Sequence, residues 1–194
     1  LNKTVPALVL DYIPQMQFGT MIRVIRALLS ENNCSVDTIA AKTGMNVGSV
    51  DNVMIDAVMF GVVQKKDGIV TLLPSDEEAM MVQLQSFFKK HVMYQRMINS
   101  DAKGFAYENY QKLFYETYTE SSLSEKTKST YCSKLLNWFL RLGLFEEENG
   151  RISVNNSVSP KVVDVENGAT RRRIRVRHQY NGQNLFWGQS SPER

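Results

Sequence analysis

Residues 35–72 read SVDTIAAKTGMNVGSVDNVMIDAVMFGVVQKKDGIVTL, and the spacing of apolar side chains along them decides the fold. Val50, Val53, Met54, Ala57 and Val58 fall at i, i+3, i+4, i+7 and i+8, the stripe of an amphipathic helix. Gly61 then suits the left-handed residue that ends a helix. Val62-Val63 starts a strand, Asp67-Gly68 supplies the two positive-φ residues of a tight hairpin turn, and Ile69–Leu72 returns. Upstream, Asp37 is expected to cap a short helix, Thr38–Lys42, ending at Gly44, and Met21–Leu29 to form an earlier helix.

The same burial pattern recurs 82 residues later without gaps. Cys132, Leu135, Leu136, Phe139 and Leu140 match the helix stripe, and Gly143 matches Gly61. Leu144-Phe145, Asn149-Gly150 and Arg151–Val154 match the hairpin. In this second copy Phe105–Tyr118 reads as the first helix, with a weaker middle segment near Ser121–Glu125. Between the copies, Ser75-Asp76-Glu77-Glu78 reads as a capping box opening one long helix to about Asn99. Its stripe of Met80, Met81, Leu84, Phe87, Phe88 and Val92 is expected to pack against both copies. A partner or self-association surface with adaptable Met80, Met81, Met93 and Met97 stays open.

The order helix, helix, helix, hairpin resembles the winged helix-turn-helix superfamily. Ile39-Ala40, Gly44 and Phe60-Gly61-Val62-Val63 carry the resemblance over residues 21–73. Leu142-Gly143-Leu144-Phe145 and the Asn149-Gly150 wing carry it less tightly over 105–154. The expected fold class is therefore mainly α with small β wings. The expected parts are an N-terminal extended segment (1–20), a first winged helix (21–74), a linking helix (75–100), a second winged helix (101–156) and a basic β-rich tail (157–194).

The resemblance implies that a third helix enters the major groove, so the outward faces of the two third helices matter. At about 100° per residue, Thr127, Thr130, Lys134, Asn137 and Arg141 lie opposite the apolar stripe of the second copy, flanked by Lys126 and Ser133. These side chains suit phosphates and base edges. In the first copy Gly48, Asn52, Ile55 and Met59 replace Thr130, Lys134, Asn137 and Arg141, with Asp51 and Asp56 nearby. That face repels phosphate, so the second copy is the expected DNA-docking one. Its wing argues the other way, with Glu146-Glu147-Glu148 standing where the first copy has Lys65-Lys66.

The chain of 194 residues has a net charge of +3, and the last 34 residues hold seven basic and three acidic side chains. Arg171, Arg172, Arg173, Arg175 and Arg177 form a patch suited to a polyanion, in a run that alternates with Ile174, Val176, His178 and Tyr180 like a strand. Tyr180, Phe186 and Trp187 suit stacking on bases. Cys34 and Cys132 are expected to be reduced thiols, and no cysteine–histidine spacing suggests zinc. No Gly-rich phosphate loop, GxSxG or spaced metal ligands occur, so neither catalysis nor a cofactor is expected. No secretory signal or membrane-length apolar run is present, and the start at Leu1 reads as a fragment or a processed chain.

The leading expectation is a module docking double-stranded DNA: a regulator, a replication initiator, or the recognition part of a restriction or defence protein. The third helix of the second copy would do the docking, with the arginine tail adding phosphate contacts. Its expected place is the cytoplasm, on the nucleoid in a bacterium. The rival is a non-catalytic protein-interaction scaffold of tandem winged helices, as in a chromosome-organising complex, using the first copy or the linking helix. Homodimerisation is open under either.

Overall fold

The computed structural model describes residues 11–100, 104–119, 123–155, 178–180 and 183–185. The chain divides at Val163/Asp164 into two units. The described part of the first is mostly helical with two small antiparallel sheets. In the second, the described residues are two paired strands, β7 (His178–Tyr180) and β8 (Gln183–Leu185), with Tyr180 opposite Gln183.

The first unit opens with α1 (Phe18–Ser30), β1 (Cys34–Ser35), α2 (Val36–Thr43) and α3 (Val47–Met59). A hairpin of β2 (Val63–Lys66) and β3 (Ile69–Leu72) follows, and β1 pairs with β3, giving the order β1-β3-β2. Asp67 and Gly68 take positive φ of 51° and 80°, as the turn requires. Ser35, not Asp37, caps α2, because its hydroxyl accepts from the Thr38 amide at 3.2 Å. Helix α1 also begins three residues before Met21, inside the segment expected to be extended.

The expected single linking helix is two. Helix α4 (Glu77–Lys89) ends at Lys90, and α5 (Val92–Ser100) starts afresh. The buried His91 side chain makes the break. Its Nδ1 accepts from the Met93 amide at 3.1 Å, taking over a bond that the continuing helix would otherwise make. At the other end Asp76, not Ser75, caps α4 by accepting from Ala79 N at 2.8 Å. That bond and one from Ser75 hold the Asp76 carboxyl below the usual aspartate range.

The second copy is also shifted by one element. Phe105–Tyr118 is not its first helix: Phe105–Ala106 form β4, and Tyr107–Thr117 form α6. Strand β4 pairs with β6 (Arg151–Val154), which pairs with β5 (Phe145–Glu148), in the order β4-β6-β5. Phe105 faces Ile152 as Cys34 faces Val70. Thus α5, β4, α6 and α7 (Glu125–Arg141) follow in the order of α1, β1, α2 and α3. The offset between copies is 71 residues at the first strand (34 to 105) and 82 from the third helix onward, so 11 extra residues lie between. Part of them lengthens α7, which starts four residues before the equivalent of Val47. Gly61 (φ 70°) and Gly143 (φ 67°) share one local geometry, as do Asn149-Gly150 (52°, 77°) and Asp67-Gly68.

Helix α4 packs between the copies. Phe88 stacks on Trp138 at 5.3 Å and meets Phe60 at 5.2 Å and Phe139 at 5.9 Å. Gln83 donates to the Phe60 and Gly61 carbonyls, and Gln85 donates to the Leu142 carbonyl at 2.7 Å. Leu142 is the repeat equivalent of Phe60, so one helix caps both third helices at matching carbonyls.

Candidate functional site

The face of α7 read as outward is divided. At its start Ser124 caps the helix, accepting from Thr127 N at 3.2 Å, and Lys126 is exposed. Thr127 is half-buried; Thr130 is exposed and returns its hydroxyl to Lys126 O at 3.0 Å. Further along, Lys134 donates to the Gln15 carbonyl and sits 5.2 Å from the centre of the Tyr131 ring. Trp138, fully buried on the same face, donates Nε1–H to the Met16 carbonyl at 3.0 Å. Asn137 is half-buried. Arg141 is exposed, and no hydrogen bond or ion pair engages it among the described residues. Burial draws Lys134 down from the usual lysine range, against the opposing pull of the Asp56 carboxylate. Lys128 is buried against Glu125 at 3.6 Å. Arg171, Arg172, Arg173, Arg175 and Arg177 lie outside the described residues, as do Phe186 and Trp187.

The structure therefore does not gather Lys126, Thr127, Thr130, Lys134, Asn137 and Arg141 into one exposed stripe. The physical reason is aromatic. At about 100° per residue, Tyr131 and Trp138 lie within about 40° of Thr127, in the middle of the polar face. An indole of that size is drawn under cover, and residues 11–16 cover it.

That segment forms a strap between α3 and α7. Asp56, fully buried, accepts from Tyr12 OH at 2.6 Å, Gln15 N at 3.0 Å and Met16 N at 2.8 Å. His91 Nε2 donates to Tyr12 O at 3.1 Å, and Tyr118 OH donates to Asp11 O at 3.2 Å. Burial, then the Asp56 hydrogen bond, raises the Tyr12 phenol well above its ordinary range. Pro14 is buried too, and it has no N–H to satisfy. Asp56 and Trp138 are equivalent positions of the repeat, 82 residues apart. From the two third helices, one matched position thus binds the Met16 N–H and the other binds its C=O. Sequence reading placed Asp56 on the surface and Val58 in the core; the structure reverses both, with Val58 48% exposed.

On the other side of α3, Val47, Ile55 and Val58 are exposed at 42%, 49% and 48%. They share one face with Asp51, whose carboxylate pairs with Lys65 of the hairpin at 2.9 Å. The equivalent positions in the second copy are Ser133 and Glu147, so that tether has no counterpart, and Glu146, Glu147 and Glu148 are exposed.

Chemistry by the other polar groups is limited by burial. Burial pushes the Cys132 thiol up to about 12 and also raises Cys34. His91 is held down to about 4 by burial, with the Tyr12 carbonyl opposing. Among the described residues, no three His, Cys, Asp or Glu side chains converge as metal ligands, and no helix is long and apolar enough to cross a membrane. No protein-family model, no curated protein and no solved structure matches the chain.

Proposed function

We propose that the chain is a non-catalytic interaction module of two winged-helix units, and that the first docks a partner protein through the outer face of α3. One observation carries this reading: α3 exposes Val47, Ile55 and Val58 together, whereas Lys134 of α7 is turned inward to the strap. An apolar helix face of this kind gains from burial against another protein and offers nothing to a phosphate. The acidic second hairpin also disfavours a polyanion. Work in the cytoplasm, at the nucleoid in a bacterium, belongs to the same proposal, and a second copy of the chain is one form the partner can take.

A second reading has its own support. Exposed Arg141 and Lys126 stand at the two ends of α7, and the tail sequence adds five arginines, a set suited to docking duplex DNA. Anisotropy titration of a mixed duplex at two salt concentrations separates the two. The interaction reading expects negligible binding at physiological salt, unchanged by Arg141→Glu. Salt-sensitive binding that Arg141→Glu weakens about tenfold transfers the function to DNA. Photo-crosslinking from Ile55 in the native host is expected to give one discrete adduct, lost on Val58→Glu; no adduct removes the α3 face from the proposal.

A further inference from the structure

We infer that the cleft between α3 and α7 is a binding site for an extended peptide main chain, filled in cis by residues 11–16, and that it takes in trans a partner segment of the pattern aromatic-x-Pro-x-Met. The inference is independent of the α3 outer face. It rests on how the strap is held.

The strap belongs to no helix or sheet, so its backbone groups need other partners. Side chains far away in sequence supply them. Asp56 accepts the two consecutive N–H groups of Gln15 and Met16, while Lys134 and Trp138 donate to the carbonyls of the same two residues. His91 donates to the carbonyl of Tyr12. Main-chain bonds of this kind are blind to sequence and provide affinity, as in strand addition to a sheet edge.

Selectivity comes from three strap side chains. The Tyr12 ring lies edge-on to Phe60 at 5.9 Å and its hydroxyl reaches Asp56. Pro14 is the buried residue of the strap and brings no N–H to leave unsatisfied. Met16 is half-buried against the core. The polarity of the cleft also suits a peptide. A buried acceptor on α3 faces buried or half-buried donors on α7, matching the N–H and C=O of one residue from opposite sides. A nucleic acid would meet Asp56 with repulsion.

A tethered occupant competes at an effective concentration of order millimolar, so the cis strap must be weakened before a free peptide is seen. The full chain carrying Tyr12→Ala and Gln15→Pro loses the phenol and one N–H from the strap and keeps the whole cleft. A fluorescein-labelled peptide with the sequence of residues 11–17, Asp-Tyr-Ile-Pro-Gln-Met-Gln, is titrated against it by anisotropy. Binding at least about tenfold tighter than to wild type is expected. Adding Asp56→Asn to the weakened chain, or Gln15→Pro to the peptide, is expected to cost about tenfold or more. If the weakened chain does not fold alone, peptide at about 1 mM is expected to restore its melting transition by mass action. A folded weakened chain that ignores the peptide, an unfolded one that the peptide does not rescue, or equal binding with and without Asp56→Asn overturns the inference. Dimers formed between weakened and wild-type chains in place of peptide binding assign the cleft to a second copy and overturn the partner assignment.

Discussion

Lowering the pH should destabilise this fold through one residue, His91. The imidazole is fully buried between Phe88 and Phe139, donates from Nε2 to Tyr12 O and accepts at Nδ1 from Met93 N. Because a carbonyl only accepts, the ring is the neutral Nε2–H tautomer, and protonating Nδ1 would break the start of α5. Burial holds the native ring down to about 4, against the usual 6.5. Between those values the unfolded chain binds the proton and the native chain does not, so acid favours unfolding. The stabilisation is fully present above about pH 6.5 and declines as the pH falls towards 4. From about pH 7.5 to about pH 5 one such group removes about 2 kcal/mol. The assay is urea unfolding at matched ionic strength across that range. His178 is the other histidine, so His178→Gln serves as the control and should keep the slope. His91→Gln should be less stable at neutral pH but nearly flat with pH. A wild type that keeps its stability to pH 5, or a His91→Gln variant as acid-sensitive as wild type, refutes the reasoning.

Three further outcomes are expected. Phe88→Ala empties the contact among Phe60, Trp138 and Phe139 and should cost about 4 kcal/mol, roughly 10 °C in Tm, measured by thermal melting. Asp56→Asn leaves an amide N–H facing a strap N–H; a loss of about 2–4 kcal/mol and faster hydrogen exchange at Gln15 and Met16 should follow. Gly104→Ala should cost more than about 3 kcal/mol, because its φ is 84° and a Cβ would sit 2.8 Å from the Ile152 carbonyl oxygen; Gly150→Ala, with φ 77° and open space, should cost only about 1–2 kcal/mol in the same denaturation assay.

What the sequence made legible was periodic and local. The stripes of α3 and α7, apart from exposed Val58 and its half-buried equivalent Leu140, the glycines that end them and the Asp-Gly and Asn-Gly turns all depend on near neighbours, and they stand where the spacing put them. The register of the second copy failed upstream of α7 because β4 has only two residues, too few to show a period, and is fixed by pairing with a strand some 45 residues away. The site was harder. Trp138 lay in plain view on a face read from its polar members alone. Asp56 gave no local sign of burial, since its three partners lie 40–44 residues back in a segment with no pattern. The 82-residue match already paired Asp56 with Trp138; only coordinates show that the pair holds the two sides of a single residue.

Gln83 and Gln85 grip the ends of the two third helices from one continuous stretch of α4. Two steps along a helix turn about 200°, so the grips emerge on opposite flanks. Their phase is written in a count of residues, not in side-chain size. Elsewhere the two copies differ in length without losing their match, since the 11 extra residues are spread over α6, the connection after it and the start of α7. One amino acid added between these glutamines would instead rotate one half about the axle by about 100° and pull the two pieces out of step.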